Sequence, residues 1–184
     1  SGLRGGDDHA LRTVARAFEE EGFRVVGIAD LAPELLMPDG ALTRRAPDEA
    51  ATADIALGRS VLKAMSPFDV GQGAVVIDRH VVAVEDIGGT DALLARVASL
   101  RADGRLRAKP GRGVLVKAPK SGQDRRLDLP AFGPKTVEGV AAAGLAGIAV
   151  AAGSTVVVEG DRLVDLADRA GIFVVGVAAE GPAP

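Results

Sequence analysis

Short runs of β-branched and aliphatic residues recur along the chain, separated by segments whose apolar residues fall at helical spacing. This alternation constrains the fold more than any other feature, because it demands strands and helices packed in layers. Residues 74–77, 81–84, 114–116, 148–150, 156–158 and 172–177 read as strands, the first two as a hairpin around Asp78-Arg79-His80. Between them, residues 48–65, 90–100, 134–143 and 161–170 read as helices. Thr90 is placed to cap the second of these, with Asp91 in its first turn and Leu93, Leu94, Val97 and Leu100 on its apolar face. Pro134 suits a first helical turn and Gly171 a helix stop.

The first third of the chain reads differently. A helix over 9–21, with Leu11, Val14, Ala15 and Phe18 at helical spacing, stops at Gly22 and precedes an expected buried strand over 23–28. Such a pair looks like the tail of an α/β unit. Residues 32–47 contain Pro33, Pro38 and Pro47 and read as a loop or linker. A further strand is expected over 125–129. The fold class is therefore mixed α/β, with its main break near residues 44–67.

Composition excludes several classes of function. The chain has 184 residues, 47% apolar and 26% charged, with net charge −3, a balance that suits a globular protein and not a disordered or collagen-like one. With no cysteine there is no disulfide framework, cysteine-ligated zinc or cysteine nucleophile. Two histidines, His9 at a helix start and His80 in a hairpin turn, offer no histidine-rich metal site. The absence of Trp and Tyr removes the usual base-stacking surfaces. No signal pattern opens the chain, so an intracellular, cytoplasmic location is the expectation. Residues 139–158 carry no charge, yet Gly153-Ser154-Thr155 breaks the run with turn chemistry, so it reads as helix end, strand, turn and strand, not as a membrane span.

Charge is concentrated. Residues 101–126 hold nine Lys/Arg against two Asp, a local balance of +7 that favours phosphates or other polyanions. Familiar phosphate motifs are nonetheless missing: Lys120-Ser121 lacks the glycines of a P-loop, and Gly139 to Gly147 lacks the spacing of a dinucleotide fingerprint. The chemistry concentrates instead between Lys117 and Thr136, where lysines, arginines, aspartates, Gln123 and Thr136 sit between expected strands and a helix. In an extended chain Asp124 and Asp128 would lie roughly 13 Å apart. That is too far to share an ion, so one aspartate would be the principal ligand, and Asp128, beside Leu129-Pro130, is better placed. Such a set suits phosphoryl hydrolysis, with a carboxylate-held divalent cation and cationic side chains stabilising developing charge. The residues alone fit a surface salt-bridge cluster equally well.

The pattern Lys117-x-x-Lys120-x-x-Gln123-Asp124-x-Arg126-x-Asp128-x-Pro130-x-x-Gly133-x-x-Thr136 resembles the LpxI-type UDP-2,3-diacylglucosamine pyrophosphatases of lipid A biosynthesis. So do Gly6-Asp7-Asp8, Asp54-Ile55-Ala56, Asp69-Val70-Gly71-Gln72, Glu85-x-Ile87-x-Gly89-Thr90-Asp91 and Ala167-Asp168-x-Ala170-Gly171-Ile172, in order along nearly the whole chain. The resemblance implies Mg²⁺-dependent hydrolysis (Mn²⁺ as the substitute ion) of UDP-2,3-diacylglucosamine to UMP and 2,3-diacylglucosamine 1-phosphate. Asp128 would be the catalytic aspartate holding the metal, assisted by Asp124. Lys117, Lys120, Arg125 and Arg126 would bind phosphates, with Gln123, Thr136, Gln72, Thr90 and Asp91 as further substrate contacts.

The implied organisation is the end of a Rossmann-like domain over 1–46, a linker helix over 47–67 and a C-terminal α/β catalytic domain over 68–184. Most of the first domain would lie before Gly5. The implied partner is the lipid nucleotide and not nucleic acid, with room for peripheral contact with the inner membrane and for a homo-oligomer. Two other classes compete: a non-enzymatic nucleotide- or RNA-binding module using the basic 101–126 window, and a regulatory domain that senses a nucleotide without turnover.

Overall fold

The computed structural model describes residues 7–68, 70–119, 126, 127 and 129–178. In chain order the elements are α1 (Asp7–Glu20), α2 (Ile28–Leu31), β1 (Gly40–Ala41), α3 (Glu49–Met65), β2 (Gly73–Ile77), β3 (His80–Val84), α4 (Gly89–Ala102), β4 (Val114–Lys117), β5 (Ala131–Phe132), α5 (Pro134–Ala142), β6 (Gly147–Ala151), β7 (Val156–Val157), α6 (Gly160–Ala170) and β8 (Phe173–Val177). Six strands form one mixed sheet in the order β1-β8-β6-β4-β2-β3. Its centre, β8, β6 and β4, is parallel, while β2, β3 and β1 join antiparallel. The pair β5 and β7 forms a small parallel sheet of its own.

The central strands are apolar, apart from Lys117 at the end of β4, because the central sheet is covered on both faces. Val75, Ile77, Leu115, Ile148, Val150 and Val174 pack with residues of α4, α5 and α6, including Leu93, Leu94, Val97, Val137, Val140 and Leu163. Their neighbours in the strands, Ala74, Val114, Val116, Ala149 and Phe173, pack with Ala51, Ile55 and Leu62 of α3. The period-two alternation of strand side chains thus builds two cores on one sheet. Asp48 caps α3 by accepting the Ala51 N–H at 2.7 Å.

The hairpin, all four helices from residue 48 onwards and the central strands lie where the sequence places them, with bounds shifted by one or two residues. The expected strand over 23–28 does not form: residues 23–27 have no regular structure and α2 follows. Phe23 is 63% exposed and packs edge-to-face on Phe18, with ring centroids 5.8 Å apart. An apolar run becomes a strand only where a neighbour takes up its backbone hydrogen bonds, and among the described residues none pairs with it. The helix before it buries Ala15 but leaves Leu11, Val14 and Phe18 exposed. In the expected 125–129 strand, Arg126 and Leu127 form a turn, and residues 125 and 128 lie outside the described residues.

The segment read as a loop or linker is fastened to the sheet. The Leu42 N–H donates to the Val174 carbonyl at 2.9 Å, and the Val174 N–H donates to Thr43 Oγ1 at 2.9 Å. Arg44 then pairs with Asp168 of α6 at 2.9 Å. No helix among the described residues is long and apolar enough to cross a membrane, and residues 139–158 form the end of α5, β6, a turn and β7.

Candidate active site

The carboxyl ends of parallel strands are where open α/β sheets place ligands. Lys117 is the last residue of β4, paired across the sheet with Gly73 of β2 and Val150 of β6. Strand alternation turns its side chain to the same face as Leu115, under α4 and α5. It is only 7% exposed, an unusual place for a lysine. Its Nζ donates to Thr90 Oγ1 at 2.7 Å and weakly to the Ala131 carbonyl at 3.5 Å. Thr90 in turn donates to Glu85 Oε2 at 2.8 Å. Burial lowers the Lys117 pKa below its ordinary value, while the negative charges of Glu85 and Asp91 oppose that shift.

Three elements hold this chain of contacts. The strand β3 ends beside Glu85, whose N–H donates to the Gly73 carbonyl at 2.8 Å. A turn through Gly88 and Gly89, the latter at φ +74°, then starts α4 with Thr90 in its first turn. The hydroxyl of Thr90 therefore serves Glu85 and Lys117, where the sequence had suggested a helix cap. Gln72 lies half-buried beside the lysine, its carbonyl accepting the Ala118 N–H at 3.0 Å. Asp91, next to Thr90, pairs with Lys135 of α5.

The other expected contacts separate into three groups. Thr136 is buried in the first turn of α5, its N–H donating to the Gly133 carbonyl at 2.9 Å. Arg126 is exposed and reaches Glu19 of α1 at 2.8 Å. Lys120, Gln123, Asp124, Arg125 and Asp128 lie outside the described residues. Glu85, quoted in the sequence only as part of a longer match, is the residue whose role sequence reasoning missed. Its signal was the pair Gly71 and Gly73, glycines on a strand entry that leave room for a neighbouring backbone or side chain.

The described residues of the basic window do not form one surface. Arg101 donates to the carbonyls of Ala143 and Ala108 at the C-terminal end of α4, and Arg112 pairs with Asp78 at the end of β4 opposite Lys117. Lys117 is buried and Arg126 sits against α1. Beyond Ala131 a separate cleft of about 380 Å³ opens at the starts of α5 and α6, lined in part by Phe132, Pro134, Lys135, Val158 and Arg162.

Residues 38–175, from just before β1 into β8, match the family described as the LpxI C-terminal domain. The chain belongs to the LpxI family. It is also 44% identical over 174 residues to the UDP-2,3-diacylglucosamine pyrophosphatase LpxI of Caulobacter vibrioides. That alignment covers 95% of this chain and 62% of the relative, so the chain spans a little under two thirds of that LpxI protein. The LpxI C-terminal domain match contains the whole six-stranded sheet apart from the end of β8, and with it Lys117, Thr90 and Glu85.

Proposed function

We propose that this chain is part of a UDP-2,3-diacylglucosamine pyrophosphatase and carries its catalytic α/β domain. The reaction is hydrolysis of the diphosphate: water adds to one phosphorus, the bridging P–O bond breaks, and UMP and 2,3-diacylglucosamine 1-phosphate leave. One observation supports an anion site here above the rest. A buried lysine closes the central parallel strand at the point where the 118–130 segment, with its further bases, leaves the sheet.

Among the described residues no three His, Asp or Glu come together as a metal cage. Magnesium in phosphoryl chemistry needs only one or two carboxylates besides phosphate oxygens. The two carboxylates acting on Lys117 are already engaged, Glu85 by a hydroxyl and Asp91 by an ammonium. In this reading a magnesium ion would be held by Asp128, the principal carboxylate, with Asp124 assisting. Such an ion would neutralise phosphate oxygens and lower the pKa of bound water. Lys117, Lys120, Arg125 and Arg126 bind phosphate oxygens in this reading, and Gln72, Gln123, Thr90, Asp91 and Thr136 bound the polar part of the site.

The test is Mg²⁺-dependent UMP release from the lipid nucleotide by a protein carrying the full length of its relative. Asp128→Ala should reduce turnover by about a thousandfold or more while the variant stays folded. Turnover close to that of the parent protein rejects Asp128 as the catalytic carboxylate.

A further inference from the structure

Glu85 sits in a trough made by two glycines. A Cβ on Gly71 would lie 2.2 Å from the Glu85 carbonyl oxygen, and one on Gly73 would lie 2.6 Å from Glu85 Oε2. Neither position accepts a side chain without moving Glu85, so the carboxylate is held against the entry to β2 and aimed at Thr90. A hydroxyl owns one proton. With the Thr90 proton given to Glu85 at 2.8 Å, its oxygen can only accept, and what it accepts is an N–H of Lys117 at 2.7 Å. The series from Lys117 through Thr90 to Glu85 therefore has a direction. It matches an ammonium at one end and a carboxylate at the other.

We infer that Glu85 is a positioning residue for the anion site: it fixes the Thr90 hydroxyl as an acceptor, and through it holds the Lys117 ammonium at the end of β4. The role in anion binding rests on the functional reading above; the role in orienting Lys117 does not. Lys117 has three N–H groups, of which Thr90 takes one and the Ala131 carbonyl weakly a second. The third has no acceptor among the described residues and is the one a phosphate oxygen would use. Without the Glu85 carboxylate the Thr90 hydroxyl is free to turn and donate to a neutral amine. Burial already favours that neutral form. The other charge acting on Lys117 is Asp91 of α4, itself tied to Lys135 of α5; Arg59 of α3 lies over the opposite face of the sheet and donates to the Ala178 carbonyl.

The readout is the Lys117 amine itself, followed by NMR in this chain with ¹³Cε-labelled lysine and assigned by loss of its signal in Lys117→Arg. Glu85→Leu, which leaves the Thr90 hydroxyl no acceptor, should weaken proton binding by Lys117 about tenfold, a fall of about one pH unit in its midpoint. Thr90→Val should lower the midpoint similarly, whereas Thr90→Ser, which keeps the hydroxyl, should leave it near that of the parent chain. Adding Glu85→Leu to Thr90→Val should then lower it by less than Glu85→Leu does in the parent chain, because only the direct charge of Glu85 remains to be lost.

An unchanged midpoint in Glu85→Leu overturns the inference. So does a Glu85→Leu shift that persists in full in the Thr90→Val background, which would make it a direct charge effect. Should Glu85→Leu not fold, an unchanged midpoint in Thr90→Val overturns it equally. Failure of the functional reading shows elsewhere: Lys117→Met in the full-length protein would leave UMP release intact, and the titration would still judge Glu85.

Discussion

Asp54 shows how much one buried carboxylate can organise. It lies on α3 at 1% exposure and accepts two backbone N–H groups of the β2–β3 turn, from Asp78 at 3.1 Å and Arg79 at 2.6 Å. The two turn residues have φ of +49° and +63°, the left-handed geometry of a type I′ turn, which Asn-Gly adopts without strain and Asp-Arg does not. Charge-assisted hydrogen bonds from Asp54 offset that strain and join the turn to the helix. Asp54→Ala should lower stability by about 2 kcal/mol in urea denaturation, and Asp54→Asn, which can still accept, by less. In the sequence Asp54 stood out only as part of a motif. Nothing local shows that a helical aspartate will meet a turn two dozen residues away.

Helix α3 carries a contest between propensity and packing at Gly58. Glycine in the middle of a helix is worth about 1 kcal/mol less than alanine. A Cβ there would meet Val116 Cγ2 at 2.6 Å and Val76 Cγ2 at 3.3 Å, because the helix lies close on the sheet. Overpacking typically costs about 1–3 kcal/mol, more than the propensity gain. Gly58→Ala should therefore lower the thermal midpoint, and pairing it with Val116→Ala should recover part of the loss. The same scale explains where the expected elements succeeded and failed. Amphipathic helices and uniformly apolar central strands signal themselves through their own residues, so α3, α4, α5, α6 and β2, β3, β4, β6, β8 were legible. The two-residue strands β1 and β5 were not, since their pairing is decided by partners far along the chain. The run at 23–28 had the composition of a strand, and no neighbour among the described residues to make it one.

Over the whole molecule, the buried lysine couples stability to pH. Its folded pKa lies below the ordinary value of 10.5, with desolvation as the main cause. Below the folded pKa both states hold the proton and the full cost of burying charge is present. Between the folded and the ordinary value the unfolded chain binds the extra proton, so stability rises with pH. The chain has neither Tyr nor Cys to titrate in that range. Measured by urea unfolding from about pH 7 to about pH 10, the parent chain should gain stability relative to Lys117→Met, in which this contribution is absent. A constant difference across that range would contradict the burial seen at the end of β4.

Periodicity, composition and the ordered matches from Asp54 to Ile172 were enough to reach a mixed α/β fold and the LpxI family, because these properties reside in the residues themselves. They also named Lys117, Thr90, Gln72 and Asp91 as expected contacts. Only tertiary structure decided that Lys117 is buried, that Thr90 faces a lysine and a carboxylate, and that Glu85 closes the series. Those facts depend on β2, β4 and α4 meeting at one end of a sheet. A hydrogen bond reports distance in space, and separation along a chain carries no information about that until the strands are paired.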